Sequence, residues 1–276
     1  MTRSKAVQVV VEYRDRGDNM YIYRCEDTLE SIFTAIYNVY EDKHSNDEVL
    51  LALDDEPRLF AVSLEVVADG VKVEKVVRTI RRQFGETDYR SLCLALASPD
   101  EEKAQAVYKT VAGGLVTKCK EGHLFDNLAD DSVNKAFKLA RSADREYCHL
   151  RGFVRFEELE GELMYSQIEP KNNVLTFLMP HFADRFPEEN FIIHDIGRNL
   201  FGIHRADNSD INESAWCLVQ GENMWPENMK ISSNEIKYQE LFKGFCSSIA
   251  IDSRRNAALQ RNMLPLHFRE FMTEFR

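Results

Sequence analysis

The chain has 276 residues, 44% of them hydrophobic and 11% aromatic, and a formal net charge of −11. That length and composition allow a substantial buried core, in one large domain or two small ones, and exclude a chain dominated by disorder. The acidic balance opposes nonspecific attraction to phosphate backbones, so any nucleic-acid contact must use a local basic patch.

From the N-terminus, 7–13 is apolar with Gln8 and Glu12 interrupting, 14–19 is charged and turn-like, and 20–23 resumes a β-prone run, which reads as a β-hairpin. The apolar part of the first run is too brief for a signal-peptide core, and no apolar stretch approaches the roughly 20 residues needed to span a bilayer. A cytoplasmic protein with no membrane partner is expected. Asp27 offers an N-cap to a helix carrying Leu29, Ile32, Phe33, Ile36, Tyr37 and Tyr40, ending near Lys43 and His44. After a polar loop, 71–84, 88–97 and 99–118 show helical patterning.

The polar stretch 122–131 is the best boundary, separating 1–125 from 126–276 unless the two halves form one integrated domain. Val133, Phe137, Leu139, Ala140 and Tyr147 mark a further helix. Runs at 153–156 and 163–168 flank a Glu160-Gly161 turn as a second hairpin. A helix is expected over 173–185. Runs at 191–196 and 200–204 enclose Gly197-Arg198-Asn199 as a third hairpin. The chain closes with helical patterning over 233–275, broken at Pro265. The reading is an α+β fold with a mainly antiparallel sheet built from hairpins and covered by helices, and with a largely helical N-terminal half.

Six cysteines, Cys25, Cys93, Cys119, Cys148, Cys217 and Cys246, form no C-x-x-C pair. They read as reduced, mostly buried thiols, and no metal or cofactor is expected. The densest run of reactive side chains is His181, Asp184, Arg185, His194, Asp195, Arg198, His204 and Asp207. Such residues can hold a metal or supply a base with its orienting carboxylate. However, His194 and Asp195 are adjacent on a strand and point to opposite faces, and His194 meets His204 only if the register allows. A structural salt-bridge and hydrogen-bond cluster is the competing reading.

Positive charge accumulates along Lys135, Lys138, Arg141, Arg145, His149, Arg151 and Arg155, opposed only by Asp144 and Glu146. Lys138, Arg141 and Arg145 fall three and four apart on one helical face, a spacing that can track phosphates or can simply be a solvated face. Near the C-terminus Arg254, Arg255, Arg261, His267 and Arg269 interleave with Phe268 and Phe271. They read either as phosphate-pairing and base-stacking groups or as ordinary helix packing with core aromatics. Walker A, G-x-G-x-x-G, H-E-x-x-H, G-x-S-x-G and the zinc deaminase pattern are all absent.

The run Gly152-Phe153-Val154-Arg155-Phe156-Glu157-Glu158-Leu159, then Ile168-Glu169-Pro170, His181-Phe182-Ala183-Asp184-Arg185-Phe186, Ile192-Ile193-His194-Asp195 and Arg198 resembles one bacterial family. So do Tyr238-Gln239-Glu240-Leu241-Phe242-Lys243, Arg254-Arg255-Asn256 and Leu259-Gln260-Arg261. The family groups DNA-metabolism or DNA-repair proteins built on a domain of unknown function. They are encoded beside a radical-SAM protein linked to DNA modification or repair, and in some bacteria are fused to a uracil-DNA-glycosylase-like domain. The resemblance covers nearly the whole chain, with Leu266-His267-Phe268 replacing a more basic and aromatic stretch. It transfers no catalytic residue. What it implies is an accessory protein that binds nucleic acid, a radical-SAM partner, or both, through the two basic patches. The alternatives are an enzyme on nucleic acid using His181 or His194 as base, Asp195 or Asp184 as orienter and Arg185 and Arg198 on phosphate, or a scaffold without catalysis.

Overall fold

The computed structural model describes residues 20–206, 216–221 and 230–276. The expected strand at 7–13, its turn at 14–19 and the candidate Asp207 lie outside the described residues. The chain divides into two compact units, one up to Thr79 and one from Ile80 onward.

In the first unit, β1 (Met20–Arg24) is the central strand of a parallel sheet, flanked by β2 (Val49–Ala52) and β3 (Ala61–Glu65). Parallel neighbours need a crossover, and α1 (Leu29–Asp42) supplies it between β1 and β2. Thr28, one residue beyond the expected Asp27, caps this helix by accepting the Ser31 amide at 3.1 Å. Left-handed Lys43 (φ 59°) closes it, returning its amide to Val39. Of the expected stripe Ile32, Phe33 and Ile36 are buried, with Ala35 and Val39 beside them, while Leu29 and Tyr37 are half-buried and Tyr40 is exposed.

Two expectations are corrected here. The N-terminal half is not purely helical, because β2 and β3 occupy a stretch read as polar loop. Nor does β1 belong to a hairpin over Met20–Arg24, since both of its edges are taken. Strands of four and five residues give too few positions for alternation to register, and a parallel strand covered on both faces does not alternate at all.

Helix α2 (Gly70–Leu96) is two helices meeting at Gly85, whose φ of 85° and ψ of 175° only glycine adopts easily. A Cβ there would also meet the Glu121 side chain at 2.5 Å. Gly85→Ala is expected to destabilise the protein by about 1–3 kcal/mol, read as a drop in the thermal midpoint. An unchanged midpoint would mean the kink is not imposed by the native fold.

In the second unit, α3 (Lys103–Val116) packs on α4 (Asp131–Phe153), and both helices bury small residues, Ala104 and Ala112 on the first and Ala136, Ala140 and Ala143 on the second. Asp130 starts α4 by accepting the Ser132 and Val133 amides. A five-stranded sheet follows: β4 (Glu157–Leu159), β5 (Leu163–Ile168), β6 (Phe191–Asp195), β7 (Leu200–His204) and β8 (Trp216–Gln220), in that spatial order. The expected hairpin β6–β7 is present, and β4–β5 turns at the expected Glu160-Gly161, but the first strand of β4–β5 shares no residue with the expected run at 153–156, because α4 runs on to Phe153 and the strand begins only at Glu157.

The sheet is mixed rather than built from hairpins alone. Strands β5 and β6 are parallel, joined by the crossover helix α5 (Leu175–Arg185). One face, carrying Ser166, Ile168, Phe191, Ile193, Asp195, Gly202 and His204, is buried, and α5 lies against β6, β7 and β8. A Cβ at Gly202 would meet the Met179 side chain, which would have to shift. The chain ends in α6 (Ser233–Ser248), α7 (Ala257–Met263) and α8 (Leu266–Arg269), the last capped by Pro265 as the break in the pattern predicts.

No helix among the described residues is long and apolar enough to cross a membrane. All six cysteines are free thiols. Burial pushes the Cys25 thiol up to about 12 and that of Cys93 to about 11, so neither is a ready nucleophile at neutral pH.

Candidate functional site

Asp195 and Arg198 show what the dense His/Asp/Arg run builds. The Asp195 side chain ends β6 with no solvent exposure and accepts from Arg198 Nη1 at 2.9 Å. The Arg198 amide, in the β6–β7 turn, donates to the other carboxylate oxygen at 3.3 Å. The same guanidinium reaches the carbonyls of Pro170 (2.9 Å) and Lys171 (2.5 Å). From the other side Glu146, buried on α4, accepts the Lys171 amide, the Asn172 amide and Asn172 Nδ2 at 2.9, 2.8 and 2.7 Å. The segment 170–172 is thus held between two buried carboxylates and one arginine. Burial raises the Asp195 pKa, against Arg198 and the Arg198 and Gly197 amides, which favour the charged form. The geometry is that of a structural clamp.

His194 faces the other way. Its Nδ1 lies 2.9 Å from the Tyr165 hydroxyl, and its ring stacks on Phe201 with centroids 4.0 Å apart. That hydroxyl also accepts from Gln167 Nε2 at 3.1 Å. Nε2 is buried and has no partner in hydrogen-bond geometry among the described residues, although Asn199 lies near enough to favour the protonated ring. Burial is the larger effect and lowers the His194 pKa, so the ring is held neutral.

The register pairs His194 with Phe201 and His204 with Phe191, so the two histidines lie on opposite faces. His204 is buried, stacked on Phe191, with Nδ1 2.8 Å from the Glu189 carbonyl. His181 is half-buried on α5, against the edge of Phe182, with its pKa lowered by burial and then by Arg151 and Arg185. Asp184 and Arg185 are exposed on the same helix. No three His, Cys, Asp or Glu side chains converge to hold a metal ion among the described residues. A shallow aromatic depression near α8, lined by Phe153, Gln167, Glu169, His267, Phe268 and Phe271, includes none of the catalytic candidates.

The basic candidates separate into two kinds. Lys138, Arg141 and Arg145 are exposed on the face of α4 opposite its buried alanines, and none makes an ion pair or side-chain hydrogen bond among the described residues. Arg155 is different: it grips Glu274 through two bonds of 3.3 and 2.8 Å and reaches the Gly152 and Val154 carbonyls. Its charge is already matched. Lys135 is likewise engaged, with Asp100 and Glu102 at 2.8 Å each. Arg254, Arg255 and Arg261 are exposed and have no side-chain partner among the described residues.

Of the aromatics expected beside them, the more fully packed is Phe268. Phe268 is buried against Phe153 and His149, and Phe271 is half-buried. Helix packing therefore accounts for Phe268. Sequence reasoning missed a different feature, the exposed apolar side of α6. Its signal was present in the spacing of Tyr238, Leu241, Phe242, Phe245 and Ile249, which reads as a core face.

Residues 101–274 match a family model described as a domain of unknown function, DUF4130. No curated protein and no solved structure matches the chain.

Proposed function

The chain belongs to the DUF4130 family, defined by a domain of unknown function, and we propose that within it this protein is an accessory factor of DNA repair or DNA metabolism that contacts nucleic acid directly and works with a radical-SAM protein. The supporting observation is the trio Lys138, Arg141 and Arg145, exposed on one face of a long helix and free of ion pairs among the described residues in a protein of net charge −11. Unmatched cations at three- and four-residue spacing lie along one line, and an extended phosphate backbone offers a line of anions to match. The radical-SAM partner rests on the family resemblance alone.

The enzymatic reading needs a histidine, a carboxylate and an arginine converging on one reacting atom. His194 and Asp195 lie on opposite faces of the sheet, and Arg198 is spent on Asp195 and two backbone carbonyls. That geometry disfavours the His194, Asp195 and Arg198 set, while His181, Asp184 and Arg185 share one side of α5. The test is fluorescence anisotropy of labelled single- and double-stranded DNA over a salt series, with and without the radical-SAM protein. Salt-sensitive binding by the protein alone is expected. Binding that appears only with the partner would make the protein a scaffold, and turnover of the DNA by the protein alone would restore the enzyme.

A further inference from the structure

Strand β3 is an open edge. It pairs with β1 on one side, and no strand lies on its other side among the described residues. In a parallel ladder alternate residues turn both backbone groups toward the neighbour, and the Val66 amide, donating to the Arg24 carbonyl at 3.0 Å, sets the phase. Val62 and Leu64 therefore bond to β1. The amides and carbonyls of Ala61, Ser63 and Glu65 point outward and meet no partner among the described residues. Proteins ordinarily protect such an edge with lysine, proline, a bulge or a covering loop. Here Val62, Ser63 and Glu65 are exposed, the strand holds neither lysine nor proline, and its flanks expose Leu59 (89%), Phe60 (88%) and Val67 (84%). The Ser63 hydroxyl is taken by Arg24 Nε at 2.5 Å, so what the strand offers there is its backbone.

The edge is complementary to itself. Turned antiparallel about a twofold axis at Ser63, two copies of β3 set Ser63 opposite Ser63 and Ala61 opposite Glu65 at each end. Each outward residue then meets an outward residue of the other copy and can exchange both backbone bonds with it. Moving the axis to Val62 or Leu64 would leave Glu65 or Ala61 beyond the end of the opposing strand. Between the bonded positions Val62 lies opposite Leu64 of the second copy, an apolar cross-strand pair, and the axis carries exposed Leu59 to the level of exposed Val67. No carboxylate opposes another along the strands, because Glu65 faces Ala61. The charged loop before β3, with Asp54, Asp55, Glu56 and Arg58, falls at opposite ends of an antiparallel pair, and within each chain Arg24 lies 3.5 Å from Asp55 and Arg58 3.3 Å from Asp54. What an open edge binds is another strand, and a second copy brings the matching residues with it.

We infer that β3 pairs with β3 of a second copy of this chain, joining two three-stranded sheets across a twofold axis at Ser63. The pairing belongs to the first unit, whereas the α4 trio and the family match lie in the second, so the nucleic-acid reading and this one can each fail alone. A contact between two short strands is at the small end for specific interfaces, so the dimer is weak, with a Kd on the order of 10 μM. In sedimentation velocity the full chain is expected to be a monomer–dimer mixture at about 100 μM and a monomer at about 1 μM. Ser63→Pro removes an outward donor without touching the ladder to β1, a change that edge strands tolerate. It costs the Arg24 contact to Ser63, and Arg24 keeps the Asp54 and Glu56 carbonyls. The variant is expected to raise the Kd at least about tenfold with unchanged circular dichroism. Val62→Lys, at an exposed position, sets a charge against Leu64 of the second copy and is expected to weaken the dimer equally, which keeps the test decisive if proline disturbs the fold. Leu241→Asp/Phe245→Asp, on the exposed side of α6, is expected to leave the dimer intact. The inference is overturned if the chain stays monomeric at the higher concentration, if it assembles beyond a dimer, if the dimer survives Val62→Lys, or if the α6 variant dissociates it.

Discussion

Arg198→Ala is expected to lower the folding stability by about 3 kcal/mol at neutral pH, toward the lower end for breaking a buried pair because the arginine itself keeps some solvent contact. The loss has two sources. Asp195, whose side chain is fully buried, keeps its charge without its cation, and the Pro170 and Lys171 carbonyls lose their donor. The pH dependence distinguishes this from simple loss of packing. Burial already holds the Asp195 pKa above its ordinary value in the fold. A raised carboxyl pKa means the folded state binds that proton more tightly than the unfolded chain does. This contribution favours the fold at pH below the unfolded carboxylate pKa and is lost as the pH rises through the folded one.

Removing Arg198 removes the largest opposing influence and raises that pKa further. The deficit of the variant is therefore expected to be greatest at neutral pH and to narrow on acidification toward the carboxylate range. Asp195→Asn in the Arg198→Ala background is expected to recover about 1–2 kcal/mol, since no charge is then left buried. Urea titrations at several pH values measure all three quantities. A deficit that does not change with pH would mean that the carboxylate of Asp195 is not what Arg198 serves.

The second large effect concerns the α4 trio. Lys138→Ala/Arg141→Ala/Arg145→Ala is expected to reduce the slope of log affinity against log salt by about 3, close to one for each phosphate contact removed. Relative to 1 M salt, at about 0.1 M that slope corresponds to a loss of roughly 500- to 1,000-fold. The same change should apply across DNA sequences, because contacts to the backbone carry no sequence information. Stability should be unaffected, since the three side chains are exposed and support nothing in their unit. Arg155→Ala is the informative contrast. Its guanidinium is matched by Glu274, so its removal should lower stability and leave the salt slope unchanged. A variant trio with unchanged slope would remove the α4 face as the phosphate contact, whatever the total affinity.

Helices were the most legible part of the sequence. The apolar spacing of α1, the break between the helical stretches 71–84 and 88–97, the polar stretch before α4 and the stop at Pro265 are all local signals, set by side chains within a few residues of one another. The β6–β7 hairpin was legible for the same reason, through its turn residues, and so was the turn of β4–β5, though not its first strand. The parallel pairings of β1 with β2 and β3, and of β5 with β6, were not. A strand's own sequence records which face is apolar but not the direction of its neighbour, and a crossover partner lies many residues away.

The candidate site divides along the same line. The sequence alone placed Lys138, Arg141 and Arg145 on one face, and His194 and Asp195 on opposite faces, because both follow from the fixed periods of helix and strand. Only the tertiary structure decided that Asp195 takes Arg198, that Arg155 takes Glu274 across a separation of 119 residues, and that the apolar stripe of α6 looks outward. Periodicity determines which side of an element is apolar or charged. What lies against that side depends on long-range packing, and a single sequence carries no local record of it.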